Sequence, residues 1–588
     1  MNLVIFAISW ISLGIALCMA QYFLFGIALA TSVVVLVISG GLALVLARRV
    51  SVESAPAPVV SSGEGGAVAW YLKALVAAIV LAPVWVLRTD AAVVTPWWYG
   101  SLLTGVVCAM YGLGTWYLLM RGTQESRMLL ALHGLVTFGL AQFVFVHGYG
   151  FDPVVHEAAL REVVAHGQVL PLQFLYSSYY ATLAGVHFVT TIPIALLSTW
   201  IVPVAAAMMQ AWVAPWAFEV LWGMQALTAR RAAVSLGVVS VPIFVLSTPW
   251  SAGVLLTVVL LLLAPLAARR TIPVLVFFGV LVLALGLLHP LIGIPVALSG
   301  VIALWRVRGR ISVVSSALMI VVALVGLFGW MRMRSGVPFF EQANSWASGA
   351  QFVMNTYGVR LGFLVAGIYI LMKSRSFVPE MYRRVASGLV AGVGISAVLL
   401  WMFVPAPNVA AIDQYEYAWR LLLVALVVIA PAIAVAAARY TARTQSAVMV
   451  VVLAVAMTLS WYAMYPSADS TVRVVSGADI RSAQWITTGT VLCDQVFAQA
   501  GLKVHGFPSR FPVDATGDGA IRSEVLLHQS VAEAIAGMEG PVFVVVHLYW
   551  YRAAQIDLEA RAAGLELVRE DAQVRVYSTP MDTSTLVR

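Results

Sequence analysis

Few residues here can do chemistry, because only 10% of the 588 residues are charged. In the stretch HGYGFDPVVHEAALREVVAHG, Asp152 precedes Pro153, His156 stands four residues after Asp152, and Glu157 follows it. An Asp–Pro pair starts a helix: the carboxylate caps free N–H groups and proline fits the first turn. Asp152 or Glu157 could equally accept a proton as a general base. Asp152, His156 and Glu157 also offer oxygen and imidazole ligands for a divalent cation such as Mg or Mn. The same spacing suits solvated residues in a first helical turn.

Arginines form the second set. Arg332, Arg334 and Arg360 flank one polar stretch, and Arg420 follows Asp413, Tyr415, Glu416 and Tyr417 in another. A guanidinium fork suits phosphate oxygens. Beside a membrane it serves as well as an anchor to lipid headgroups. His289, in a His–Pro pair after an apolar run, either caps a helix end or touches a ligand.

The elements that must position these residues are membrane segments. Hydrophobic residues make up 62% of the chain and the mean hydropathy is +0.94, whereas a soluble domain is about 45–50% apolar. A helix crossing the hydrocarbon needs about 20 apolar residues. Fifteen stretches qualify, near 3–20, 24–47, 68–88, 99–120, 129–147, 199–226, 232–247, 251–268, 271–288, 291–305, 311–330, 360–372, 385–404, 420–438 and 445–463. The expected fold is therefore a polytopic α-helical membrane protein of about 15 transmembrane helices. With the N-terminus cytoplasmic, 18 basic residues fall on the inner side and 6 outside, up to Tyr465, as the positive-inside bias requires.

Long outer loops then span 148–198, 331–359 and 405–419, and a Pro/Ser/Gly-rich cytoplasmic linker spans 50–66. From Pro466 onward the charge changes sign, with 10 Lys+Arg against 14 Asp+Glu. This tail reads as an extracytoplasmic soluble α/β domain, 466–588, with a helix over Ile521–Met538, a strand over Val542–Tyr551, a helix over Ala553–Ala563, and strands at Leu565–Val568 and Val574–Ser578. Cys493 there reads as a small buried residue. The basic excess marks one membrane face and gives no support for nucleic-acid binding.

The order of these parts resembles the GT-C superfamily of integral-membrane glycosyltransferases, which includes oligosaccharyltransferase catalytic subunits, protein mannosyltransferases and aminoarabinose transferases. The likeness rests on GFDPVVHEA (150–158), the STP turn (247–249), LLHPLIGIP (287–295) and YEYAWRLL (415–422). It covers roughly 129–588 and leaves 1–128 as an N-terminal four-helix extension beside a catalytic module, 129–465. The family's acidic pairs separated by one residue are absent here, since Asp152 and Glu157 are five apart.

The resemblance implies transfer of a sugar from a polyprenyl-phosphate donor to a glycan, lipid or protein acceptor outside the cytoplasmic membrane. It favours Asp152 as general base, with Glu157 second. The donor would be held by His156, His289, Arg332, Arg334, Arg360, Arg420 and Tyr417. The competing expectation is a transporter or flippase of lipid-linked glycans, for which Glu219, a carboxylate inside a crossing, is the main candidate.

Overall fold

The computed structural model describes residues 3–50, 102–121, 127–150, 152–169, 176–269, 271–289, 378–403, 424–425, 427–439, 451–452, 454–455, 474–486, 489–506, 521–523, 526, 529–538, 540–548, 552–571 and 573–580. These are mostly helical, with a small sheet near the C-terminus. Among the described residues, five helices are long and apolar enough to cross a membrane: Leu3–Leu24, Leu29–Arg49, Arg127–Val144, Ile194–Leu221 and Pro249–Arg269. Three shorter apolar helices, Gly105–Met120, Ile272–Leu288 and Val427–Arg439, accompany them. The protein is membrane-embedded and helical. The expected crossings at 68–88, 291–305, 311–330 and 360–372, most of that at 445–463, residues 51–66 of the linker, and the loops 331–359 and 405–419 lie outside the described residues.

Helices α1 (Leu3–Leu24) and α2 (Leu29–Arg49) form a hairpin. The break between the expected stretches 3–20 and 24–47 comes later than residues 20–24, at Gly26, whose φ of +72° suits a residue without a side chain. Because both helices are apolar almost all round, their few polar side chains pair with each other. Gln21 Nε2 donates to Thr31 Oγ1 (2.5 Å), and Trp10 Nε1 donates to Ser39 Oγ (3.1 Å). Helices α3 (Leu102–Arg121) and α4 (Arg127–Val144) follow. Next come α5 (Asp152–His166) and α6 (Ser177–Thr190), within the loop expected between crossings.

Helix α7 starts at Ile194 and contains two π turns, Met209–Val213 and Ala217–Leu221. It lies close against α4: a Cβ on Gly134 would stand 2.8 Å from Ala207 Cα. Small residues at such contacts let helices pack where water cannot drive them together. Helices α8 (Ala226–Phe244), α9 (Pro249–Leu263) and α10 (Ile272–Leu288) complete this part. The STP turn sets the start of α9, because Thr248 Oγ1 accepts from Ser251 N (3.1 Å) and Pro249 fills the first position. Beyond them lie α11 (Glu380–Phe403) and α12 (Val427–Arg439).

The C-terminal unit is an α/β domain. It runs α13 (Gly477–Trp485), β1 (Thr490–Cys493), α14 (Gln495–His505), β2 (Ile521–Ser523), α15 (Val531–Ile535), β3 (Val542–His547), α16 (Ala553–Ala562), β4 (Glu566–Asp571) and β5 (Val574–Ser578). The sheet order is β2-β1-β3-β5-β4, parallel across β2, β1 and β3 and antiparallel across β3, β5 and β4. Strand β3 is central and every residue in it is buried, which explains its unbroken apolar run. Alternate side chains serve opposite faces. Phe543 and Val545 pack on the side of α13 and α14, while Val542, Val544 and Val546 pack on the side of α15 and α16.

The expected helix over Ile521–Met538 is corrected here. Ile521–Ser523 pairs with Val491–Cys493 as a strand, and the helix begins only after Ser530, whose capping box with Glu533 fixes its start. The expected strand at Val542–Tyr551 ends at His547, and Cys493 is buried as expected. Strand β1 and helices α13 and α14 were not anticipated from sequence.

Candidate functional site

Helix α5 begins at Asp152, with Pro153 in its first turn, and ends at His166. Gly167, with φ +79°, turns the chain away. Ala159, Leu160 and Val163 bury one face against Ile15, Cys18, Tyr22 and Ile27 of the N-terminal hairpin and against Tyr179, Tyr180 and Leu183 of α6. The far end of α5 is tied to the same hairpin through three bonds. Ile27 N donates to the Gly167 carbonyl (2.9 Å), Gln168 Nε2 to the Tyr22 carbonyl (2.6 Å), and Val169 N to Tyr22 Oη (3.1 Å). The near end meets the C-terminal domain. Val154 and Ala158 pack on Leu502, Arg161 Nη1 donates to the Lys503 carbonyl (2.8 Å), and Lys503 Nζ donates to the His147 carbonyl (2.5 Å).

Aromatic and imidazole rings gather on the remaining face of α5. His156 Nδ1 and Tyr180 Oη are hydrogen-bonded at 2.8 Å. The His156 ring stands 5.5 Å from that of Tyr176 and 6.1 Å from that of Tyr179, and Tyr176 stands 5.1 Å from His289. Ser178 Oγ donates to the Leu287 carbonyl (2.5 Å), fixing α6 against the end of α10 where His289 sits. Tyr176 adopts φ +63°, a left-handed conformation that costs a bulky residue free energy and that persists where surrounding contacts impose it. The Tyr179 hydroxyl is buried without a hydrogen-bond partner among the described residues, and burial raises its pKa. An orphaned buried donor is costly.

Two of the sequence-predicted residues, His156 and His289, are therefore brought together through Tyr176. Glu157 is buried and paired with Arg161, so its carboxylate is committed to a cation of its own helix. The Asp152 backbone starts α5, but its carboxylate lies outside the described residues, as do Arg332, Arg334, Arg360, Arg420 and Tyr417. Glu219 sits partly buried in the second π turn of α7. Of the expected cation ligands, His156 engages Tyr180 and Glu157 pairs with Arg161, while the Asp152 carboxylate lies outside the described residues; no group of three or more potential ligands converges among the described residues.

Two polar groupings escaped the sequence reading. In the C-terminal domain, His547 at the end of β3 is fully buried between two carboxylates. Its Nδ1 is 2.7 Å from Asp494 Oδ2, and its Nε2 meets Asp479 Oδ1. Burial alone would lower the imidazole pKa, but the two carboxylates outweigh it and raise the pKa to about 10. Both carboxylates also cap helices, Asp494 accepting from Phe497 N (2.9 Å) and Asp479 Oδ2 from Ser476 N (2.8 Å). The imidazolium therefore joins two helix starts to the central strand. With no exposed surface it acts as a brace.

The second grouping lies among the apolar helices. His133 Nε2 is 2.9 Å from Thr115 Oγ1, its ring stacks on Tyr111 at 5.2 Å, and Tyr111 Oη is 2.8 Å from Thr137 Oγ1. Nearby, Gln210 lies in the first π turn of α7, and neither amide atom is hydrogen-bonded among the described residues.

No family model matches this chain, and neither a curated protein nor a solved structure does so.

Proposed function

We propose that the protein is a glycosyltransferase of the cytoplasmic membrane, acting on its extracytoplasmic side with a polyprenyl-phosphate-linked sugar. The observation that carries this reading is the assembly around α5. A helix starting at Asp152 follows an apolar helix directly, and a His–Tyr cluster formed with α6 and His289 covers it. Such a place suits a donor whose lipid tail stays in the bilayer while its head reaches polar side chains.

The acceptor hydroxyl attacks the anomeric carbon and forms the new C–O bond as its proton passes to the Asp152 carboxylate. The old anomeric C–O bond breaks, and the polyprenyl phosphate leaves with the electron pair. His156, His289 and Tyr417 contact the donor head. Arg332, Arg334, Arg360 and Arg420 take the charge that gathers on the phosphate. Glu157, held by Arg161, shapes α5. No step is routed through a divalent cation. The acceptor is a glycan, lipid or protein surface displayed outside the membrane.

The test is reconstitution in liposomes with a panel of radiolabelled polyprenyl-phosphate hexoses and pentoses. Asp152→Asn should abolish transfer while leaving membrane insertion intact; undiminished transfer would remove Asp152 from the mechanism. A second reading, a flippase for lipid-linked glycans, draws on the unpaired Gln210 amide and on His133 within the apolar helices. Translocation of the labelled lipid without product would favour it.

A further inference from the structure

The contact between the C-terminal domain and α5 is specific. Helix α14 packs Leu502 on Val154 and Ala158, and the next residue, Lys503, takes part in two hydrogen bonds, one with His147 and one with Arg161. Lys503 Nζ reaches the His147 carbonyl, three residues past the end of α4 and five before Asp152. Just past His147 the chain turns, with Gly148 at φ +96° and Gly150 at φ +87°. Such a turn has little stiffness of its own. Arg161, two and a half turns along α5, closes the other side by donating to the Lys503 carbonyl while pairing with Glu157.

A lysine so placed gives up hydration, and burial lowers its pKa, opposed by the Glu157 carboxylate. The bond it makes is to backbone, beside the glycine-containing turn that leads into α5.

We propose that Lys503 is a positioning residue: the C-terminal domain uses it to clamp the 147–150 turn and so fixes where the N-terminal end of α5 points. The consequence for catalysis rests on the reading of Asp152 as base. The clamp itself does not.

The test uses full-length protein in liposomes and two independent readouts. Hydrogen exchange over residues 147–161 should quicken about tenfold in Lys503→Met, which keeps the aliphatic stem but loses the charge-assisted bond. Lys503→Arg, still able to donate to the carbonyl, should restore most of the protection. Arg161→Gln supplies a second route if Lys503→Met folds poorly, and should loosen the same peptide. Unchanged exchange in both Lys503→Met and Arg161→Gln overturns the clamp. With the same panel of labelled polyprenyl-phosphate sugars, Lys503→Met should lower kcat and leave KM nearly unchanged. Faster exchange with an unaltered kcat overturns the positioning role. Absence of transfer by the wild-type protein overturns the glycosyltransferase reading instead, while the exchange comparison still decides the clamp.

Discussion

Replacing His547 with glutamine removes the positive charge between Asp479 and Asp494 while keeping a side chain that can hydrogen-bond. In the folded protein the imidazole pKa stands at about 10, against an ordinary value of 6.5. A raised pKa means that the proton is held more tightly in the folded state. The group therefore contributes its full stability below pH 6.5 and loses it as pH climbs toward 10. Each pKa unit corresponds to about 1.36 kcal/mol. The contribution is about 3–5 kcal/mol, in line with the cost of breaking a buried ion pair by removing one partner. Pulse proteolysis in urea, reading cleavage within the C-terminal domain of the full-length protein, compares wild type with His547→Gln from pH 6 to 10. The stability gap should be widest near pH 6 and shrink through the alkaline range. A gap that stays constant over that range would refute the charged brace, because a neutral imidazole contributes no pH-dependent term there.

Three further substitutions check the packing. Gly489→Ala should destabilise the C-terminal domain by more than about 2 kcal/mol in the same proteolysis assay, since Gly489 has φ +94° and its Cβ would lie 2.5 Å from the Pro541 carbonyl oxygen. Gly134→Ala should lower the thermal midpoint of detergent-solubilised protein through a cost of about 1–3 kcal/mol from overpacking of α4 against α7. Gln210→Met should raise that midpoint, because it removes two buried amide atoms that have no partner among the described residues; a lower midpoint would show that the amide is paired in the folded protein.

Sequence alone located the parts governed by local rules. The start of α5 followed from Asp152–Pro153 and its end from Gly167, and apolar length marked the five long helices. What required tertiary information was adjacency. Asp479 and Asp494 lie 68 and 53 residues from His547, and only the parallel arrangement of β1 and β3 brings them to one point. Strand β1 is four residues long and is defined by its neighbours more than by its own pattern. The Tyr-rich segment 172–188 suggests an amphipathic helix along the membrane surface, yet Tyr179 and Tyr180, within α6, are buried with the N-terminal hairpin and α5. Glu157 suggested a base by its type alone; Arg161, one turn on, commits it to a salt bridge.

Helix α5 is held by both ends of the polypeptide, the N-terminal hairpin at Gly167 and Lys503 at His147, the latter 356 residues away along the chain. During synthesis the hairpin can dock as soon as α5 emerges, whereas the other grip waits for almost the whole protein to be made. The 147–150 turn is consequently gripped last, and a chain that stalls or is cut before α14 would carry every apolar helix described here without that grip. Quality control that senses only insertion would pass such a product, and only an assay of the finished site would expose it.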